Sequence, residues 1–269
     1  MINIVYEDNH LLVVEKPVNV PVQKDSSNDL DLLTMLKEYL KKKYNKPGNV
    51  YLGLVHRLDR PVGGIMVFAK TSKAAARLSE QIRKGEFKKT YLAIVCGKIK
   101  ESDVLEDYLL KDSKTNIVKV DSKGKKSILE YKRINYKEGL SLVKINLKTG
   151  RSHQIRVQFS SRNYPLYGDQ KYNKNSKVGE QIALFANKIS FTHPTKKENI
   201  EFSLNKPNKY PWNIFKEIVP IDASGVQSIE ADNRVIQINS ILGKRLEAPS
   251  KGINIFMMKD GSTKKVIIK

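Results

Sequence analysis

The chain has 269 residues, enough to bury a full-sized hydrophobic core and to form one large domain or one domain with a small appendage. Its 49 lysines and arginines against 28 aspartates and glutamates give a formal net charge of +21 at pH 7, and such a field attracts polyanions. Nucleic acid is favoured over a membrane surface, because no stretch approaches ~18 apolar residues and the first residues lack the pattern of a secretory signal. A single cysteine, Cys96, excludes an internal disulfide and fits a reducing cytoplasm, where we expect the protein, and four widely separated histidines argue against a zinc or iron site.

The first predicted elements are a strand and a helix. Residues 11–14 form a short apolar run that predicts a buried strand, and the Glu-Lys-Pro sequence of residues 15–17 predicts the turn that ends it. Apolar side chains recur at helical spacing over residues 32–40 and predict a helix, with Asp29 or Asp31 as its N-terminal cap.

Further strands and one more helix follow. Residues 64–69 predict a strand, and residues 91–95 predict another. Between them, Ser72 is positioned to cap a helix that ends at Gly85. Four more β-rich runs alternate with polar turns, at residues 128–134, 140–147, 153–159 and 182–191. Together these elements predict an α+β fold with a large mixed, mainly antiparallel sheet flanked by helices.

Beyond Pro220 the composition changes. The Ala-Ser-Gly sequence of residues 223–225 resembles a linker, and three short β-rich runs follow at residues 235–241, 253–258 and 265–268. Residues 219–269 hold only 8 lysines and arginines against 5 acidic residues, so most of the positive charge lies in residues 1–218. We therefore predict a polyanion-binding domain of residues 1–218, and a linker with a small β module of unknown role in residues 219–269.

The segment His56-Arg57-Leu58-Asp59-Arg60 places one carboxylate among three basic side chains. A carboxylate with cations within about 4 to 6 Å keeps its negative charge, so Asp59 is predicted to be ionised at neutral pH and available as a nucleophile or a base. The structural alternative is an ordinary salt bridge with Arg57 or Arg60.

Two other segments carry side chains suited to chemistry. If residues 153–159 form a strand after a tight turn at Thr149 and Gly150, Gln154 and Arg156 share one face and point towards one pocket. In a second segment Tyr91 follows two lysines, the combination expected where a base stacks while phosphates are neutralised. The alternatives are a surface position for Arg156 and an ordinary core position for Tyr91.

These segments resemble, in identity and order, those of the RluA-type pseudouridine synthases. The resemblance covers roughly residues 1–218 and rests on residues 6–14, 16–17, 56–60, 89–91, 150–156, 167–169 and 191–194. Agreement of several separated motifs in the same order is far more specific than any one of them.

The resemblance implies that a uridine in structured RNA, ribosomal or transfer, is isomerised to pseudouridine. The bond from ribose C1′ to base N1 breaks, the base rotates and rejoins through C5, and neither cofactor nor metal takes part. By resemblance, Asp59 is the essential aspartate, Tyr91 stacks on the base, Arg156 pairs with the aspartate, and Arg57 fills the space left by the flipped base. Members of this family commonly act as monomers, and we expect a monomer here.

Several alternatives accompany these expectations. A non-catalytic RNA-binding protein or RNA-folding helper could retain the same fold, and Arg57 could make a plain phosphate contact. His56 and His153 are expected to orient loops through hydrogen bonds rather than to act as acids or bases.

Overall fold

The chain divides into two compact units, Met1–Lys216 and Glu217–Lys269. Its computed structural model describes residues 2–25 and 27–215, and beyond them the backbone of four strands between residues 235 and 268. The division predicted from the sequence falls after residue 218, and the predicted linker at residues 223–225 lies outside the described residues.

The first unit is built around one eleven-stranded sheet. Its strands are β1 (Asn3–Glu7), β2 (Leu11–Lys16), β3 (Gly53–Leu54), β4 (Gly63–Ala69), β5 (Lys88–Cys96), β6 (Ser102–Asp112), β7 (Ile117–Val120), β8 (Lys125–Lys137), β9 (Leu140–Leu147), β10 (Leu184–Thr192) and β11 (Asn199–Ser203). The order across the sheet is β1-β2-β4-β10-β5-β9-β8-β6-β7, with β3 beside β4 and β11 beside β10. The pair β4–β10 is parallel and the other pairs of this sheet are antiparallel, so the predicted mixed, mainly antiparallel sheet is confirmed.

Three helices accompany this sheet: α1 (Leu32–Lys43), α2 (Ser72–Lys84) and α3 (Gln154–Ser160). Alternate residues of β2 and β4 belong to two different apolar clusters, so these strands are buried on both faces. Leucines of α1 pack into one cluster, and α2 packs into the other through Ala74 and Leu78. Burial on both faces makes this strand pair a firm base for the loop that leads into β4.

The predicted helix caps are right at one helix and wrong at the other. Asp31 caps α1 by accepting the backbone N–H of Thr34 at 3.0 Å. Helix α2 is capped by Thr71 rather than Ser72, because the backbone is still extended at Thr71 and its hydroxyl accepts the N–H of Ala74 at 3.2 Å. The helix ends as predicted at Gly85, which adopts a left-handed conformation.

Residues 153–159, predicted as a strand, form helix α3 instead. The apolar residues at 155, 157 and 159 alternate as they would in a strand, but residues 154–159 are buried on every side of the helix. A helix without an exposed face shows no 3.6-residue periodicity, and its sequence can therefore mimic a strand. The predicted common face of Gln154 and Arg156 is also wrong, because residues two apart on a helix point in different directions.

The glycine at position 64 is required by the parallel pairing of β4 with β10. Gly64 has a φ of 125°, and a Cβ atom there would overlap the backbone of Ala186 in β10. Only glycine accepts both the conformation and the close approach. This contact fixes the start of β4, directly after the loop that carries Asp59.

The second unit contains a four-stranded antiparallel sheet. Its strands are β12 (Val235–Ser240), β13 (Arg245–Leu246), β14 (Gly252–Met258) and β15 (Thr263–Ile268), in the order β13-β12-β14-β15. The three predicted strands are present and a short one, β13, was not predicted. Within the residues described, no helix is long and apolar enough to cross a membrane.

Candidate active site

Asp59 lies in the loop between β3 and β4 with its carboxylate partly open to solvent. The side chain is 29% exposed, and a turn closed by the Val62 N–H on the Asp59 carbonyl, at 3.0 Å, holds the backbone. Oδ2 accepts a hydrogen bond of 3.1 Å from Nη1 of Arg156 and lies 3.9 Å from Nε2 of His153. The carboxylate is thus fixed from one side and accessible from another.

Arg156 connects Asp59 to a second, fully buried carboxylate. Its Nε donates to Oδ2 of Asp169 at 2.8 Å, and its Nη2 donates to Oδ1 of the same residue at 2.7 Å. Burial lowers the pKa of Arg156, but the hydrogen bonds and charges of Asp169 and Asp59 outweigh it and raise that pKa. The guanidinium therefore stays charged, and the two-pronged bond to Asp169 fixes its orientation.

The basic residues next to Asp59 in the sequence point elsewhere. Arg60 forms an ion pair with Asp29, and Nε2 of His56 accepts the N–H of Val67 at 3.2 Å. Arg57 is exposed and makes no hydrogen bond or ion pair with another residue of the described part of the chain. The alternative of a salt bridge between Asp59 and Arg57 or Arg60 is wrong: the partner of Asp59 is Arg156, to which the resemblance assigned that pairing.

A buried lysine supports the Asp59 loop from beneath. Nζ of Lys16 donates to the carbonyls of Pro17 and Arg60, both at 2.9 Å, and to that of Val62 at 2.8 Å. Burial lowers the pKa of Lys16 to about 7, while the nearby charge of Asp59 acts in the opposite direction. This role of Lys16 was not predicted: in the sequence Lys16 marked the end of a strand and belonged to a family motif.

Tyr91 lies on β5 and is 7% exposed. Its ring packs in the larger apolar cluster, as the core alternative expects, and it also lies close enough to Asp59 to interact with its charge. Burial, together with that charge, raises the pKa of Tyr91, so its hydroxyl is protonated at neutral pH. Tyr91 is therefore both a core residue and a neighbour of Asp59.

Two residues that received no role in the sequence analysis, Asp169 and Tyr172, complete the site. Cζ of Arg156 lies 5.1 Å from the centre of the Tyr172 ring, and the Tyr172 hydroxyl lies 2.7 Å from Nδ1 of His153. Asp169 was noted only as part of a family motif, and Tyr172 belongs to an irregular segment without periodic pattern. The Tyr167-Gly168-Asp169 motif was the available sequence signal for Asp169.

A cavity of about 310 Å³ opens beside Arg156 and Asp169. Polar side chains dominate its wall, among them Asn19, Gln181 and Lys171. This volume is at the lower end of that of small-molecule sites.

The site offers three kinds of chemical group. Asp59 can act as a nucleophile or a base, Arg156 supplies a fixed positive charge, and Tyr91 supplies a hydroxyl proton.

Within residues 2–25 and 27–215, no group of three or more histidine, cysteine, aspartate or glutamate side chains is arranged to hold a metal ion.

Comparison with known proteins identifies the class. The family model for RNA pseudouridylate synthase matches residues 10–161. Ribosomal large subunit pseudouridine synthase C of Buchnera aphidicola subsp. Baizongia pistaciae is 37% identical over 211 residues, covering 73% of this chain and 64% of that protein. The Bacillus subtilis protein named "Uncharacterized RNA pseudouridine synthase YhcT" is 36% identical, with 74% and 67% covered. Ribosomal large subunit pseudouridine synthase D of Zymomonas mobilis is 33% identical, with 77% and 69% covered.

The fold agrees with this class. Two solved human structures, RNA Pseudouridylate Synthase Domain Containing 4 and Domain Containing 1, both align with a TM-score of 0.64, at 21% and 23% identity. They cover 76% and 78% of this chain, and the alignments span 88% and 85% of those chains.

The chain belongs to the RNA pseudouridylate synthase family, as its resemblance to the RluA type implied. It spans about two thirds of the length of the curated relatives named here.

Proposed function

We propose that the protein isomerises specific uridines in RNA to pseudouridine and that Asp59 is the essential carboxylate. The observation that carries this proposal is the chain of contacts from Asp169 through Arg156 to Asp59. A buried ion pair orients a guanidinium, and the guanidinium holds a partly exposed carboxylate that is otherwise open towards solvent. A protein that only binds RNA does not need a carboxylate held in one orientation on its basic surface, because that carboxylate repels the RNA phosphates.

The reaction rearranges atoms that the substrate already holds. The bond from C1′ to N1 breaks, a bond from C1′ to C5 forms, the hydrogen on C5 leaves as a proton, and N1 gains one. No electron or group comes from outside, so we propose that the reaction needs neither cofactor nor metal. Asp59 can attack C1′, add to C6 of the base, or remove a proton from C2′, and each route needs an anionic carboxylate beside the sugar and base.

The target uridine has to be flipped out of the stacked RNA helix before Asp59 can reach its C1′, C2′ or C6 atom. Flipping costs a few kcal/mol, least where the base is unpaired or distorted. Arg57 is exposed two residues before Asp59 and has no partner among the described residues, so it is available to occupy the vacated space. A phosphate contact is the second use of the same side chain, and the two uses differ in their dependence on RNA structure.

Tyr91 is proposed to form the wall on which the flipped base stacks. Base stacking on an aromatic ring contributes about 1 to 3 kcal/mol. Because the raised pKa keeps the hydroxyl protonated, Tyr91 can donate a hydrogen bond or a proton near C5. Its packing in the core holds the ring in place without RNA.

The proposed substrate is structured ribosomal or transfer RNA. The charge of +21 provides the attraction, and two of the relatives compared above are named for the ribosomal large subunit. We propose that the protein acts in the cytoplasm as a monomer. We also propose that residues 1–218 form its RNA-binding catalytic domain.

The deciding experiment measures tritium release from RNA labelled at C5 of uridine, with RNA from cells that lack this gene. We expect release with the unaltered protein and none with Asp59→Asn, whose affinity for RNA stays within about twofold because the fold and basic surface persist. Asp121→Asn, on a partly exposed aspartate paired with Lys119, is the matched control and releases tritium normally. Release by Asp59→Asn contradicts the mechanism, and tight RNA binding without release by the unaltered protein favours the non-catalytic alternative.

A further inference from the structure

His153 has an unusual backbone and lies between two groups of the site. It precedes α3 with a φ of 50°, a left-handed conformation that non-glycine residues seldom adopt. Its ring reaches Tyr172 through Nδ1, at 2.7 Å, and turns Nε2 towards Oδ2 of Asp59, at 3.9 Å. A strained backbone that aims a largely buried ring at a carboxylate suggests a function for that ring.

The contacts of Tyr172 determine which nitrogen of His153 carries the proton. The Tyr172 oxygen accepts the backbone N–H of Val118 in β7, at 2.9 Å. Burial raises the pKa of Tyr172, so its hydroxyl hydrogen is present, and His153 Nδ1 is the one acceptor within reach in the described part of the chain. The hydroxyl therefore donates to Nδ1, which leaves the imidazole proton on Nε2, facing Asp59.

The charges around His153 favour the neutral ring. Burial lowers its pKa, and the positive charges of Arg156 and Lys171 act in the same direction, whereas Asp59 and Asp169 act against them. The net effect is a lowered pKa, so the ring facing Asp59 is a neutral N–H donor rather than a second cation.

The two oxygens of Asp59 have different surroundings. Oδ2 takes the hydrogen bond from Arg156 and faces His153, whereas Oδ1 accepts no hydrogen bond from the described residues. A carboxylate held through one oxygen presents the other with its lone pairs free. The side chain is 29% exposed, and Oδ1 is not among the buried polar atoms without a partner in the described residues.

We propose that His153, held in one tautomer by Tyr172, is a positioning residue that directs its Nε2–H at Oδ2 of Asp59 and, with Arg156, leaves Oδ1 to meet the substrate. This proposal rests on the proposed function, since it assigns a role within the same site. The distance of 3.9 Å between Nε2 of His153 and Oδ2 of Asp59 is longer than a hydrogen bond. We expect it to shorten when RNA binds, as catalytic hydrogen bonds often do.

Kinetics of two variants test the positioning role. Tyr172→Phe removes the hydroxyl that selects the tautomer, and His153→Asn removes the Nε2 donor while keeping a residue that tolerates positive φ. We expect the single-turnover rate to fall about 10-fold in each, the size of losing one orienting hydrogen bond, with the dissociation constant for RNA within about twofold. Tyr6→Phe is the matched control, because its hydroxyl serves a separate Asp8–His193 pair, and it keeps the rate. An unchanged rate, or a loss explained by weaker RNA binding, overturns the proposal.

Nitrogen NMR of the histidine-labelled full chain without RNA supplies a test that needs no activity. We expect His153, assigned by its loss in His153→Asn, to show the Nε2–H tautomer, and Tyr172→Phe to show a mixture of tautomers. Asp59→Asn removes a charge that raises the pKa of His153, so the pKa falls further. A proton on Nδ1, or a pKa unaffected by Asp59→Asn, overturns the proposal. If the unaltered protein proves inactive on RNA, the proposed function fails and these spectra still decide whether His153 acts on Asp59.

Discussion

Arg156 and Asp59 are 97 residues apart in the sequence, and a 3.1 Å hydrogen bond from Nη1 to Oδ2 joins them in the structure. The same guanidinium uses its other two nitrogens on Asp169. Lysine carries the same charge but cannot reproduce three directed bonds in one plane. The geometry of the guanidinium, and not its charge alone, therefore sets the position of the Asp59 carboxylate.

Arg156→Lys tests this dependence on geometry. We expect the rate of uridine isomerisation to fall about 100-fold, and the free energy of unfolding to fall by about 2 kcal/mol because Asp169 loses its two-pronged partner in a buried position. Tritium release and urea unfolding give the two values. Arg162→Lys is the control: Arg162 also forms a two-pronged bond, but it is partly exposed and its partner is Asp107 on β6 rather than Asp59. Arg162→Lys should lower the free energy of unfolding by less than about 1 kcal/mol and leave the isomerisation rate unchanged. Equal effects of Arg156→Lys and Arg162→Lys on the rate would refute the geometric argument.

Arg57→Ala separates a wedge from a phosphate contact. If Arg57 fills the space of the flipped base, its loss slows turnover more on a uridine in a paired stem than on one in a flexible loop. The reason is that unstacking a base costs more free energy in a paired stem. A phosphate contact predicts equal slowing on both RNAs and a shallower salt dependence of binding, by about 0.7 in the log–log slope for a single strand. Lys42→Ala, at an exposed lysine of α1, controls for the loss of one surface charge.

Removing the residues after Pro220 tests the proposed division of labour between the two units. Asp59, Tyr91 and Arg156 all lie in Met1–Lys216, and the family model matches within it. We expect the shortened chain to fold and to release tritium at a rate within about twofold of the full chain, because most of the positive charge is retained. Insoluble or unfolded protein, shown by circular dichroism, is the contrary result.

The sequence predicted the elements that show simple periodicity and missed those that do not. Strand β2 and helix α1 have clear patterns, and both were predicted. Strands β6 and β7 were missed: in β6 the buried residues Leu105 and Leu109 are four apart, a spacing that fits a helix equally well. Helix α3 was taken for a strand because it is buried on all sides.

Motifs marked several residues of the candidate site, whereas residues that are linked to it only through contacts with distant parts of the chain were not predicted. Asp59, Arg57, Tyr91 and Arg156 were predicted from local segments, and the structure brings Asp59 and Arg156 into contact. The pairing of Asp59 with Arg156 was expected only from the family resemblance, because Arg156 comes from a helix far along the chain and the residues next to Asp59 do not indicate it. Tyr172 was missed for the same reason: its role depends on contacts with α3 and β7, and no local pattern marks it.

His56 predicts how stability depends on pH. Burial, with the positive charge of Lys89, lowers its pKa from 6.5 to about 3, and Nε2 is occupied by the Val67 N–H. Between pH 6.5 and 3 the unfolded chain therefore binds a proton at this residue that the folded chain does not bind. The free energy of unfolding consequently falls as the pH falls through this window, by at most about 1.4 kcal/mol per pH unit from this group.

His56→Gln isolates that contribution. Glutamine can still accept the Val67 N–H but does not titrate, so other groups, including the carboxylates, cancel in the difference between the two proteins. Urea unfolding from pH 7 to pH 4 should show the unaltered protein losing stability relative to His56→Gln as the solution becomes more acidic. Parallel curves would mean that the imidazole takes up its proton equally well in the folded and unfolded chain, and the packing of His56 against Phe87 would then have no electrostatic consequence.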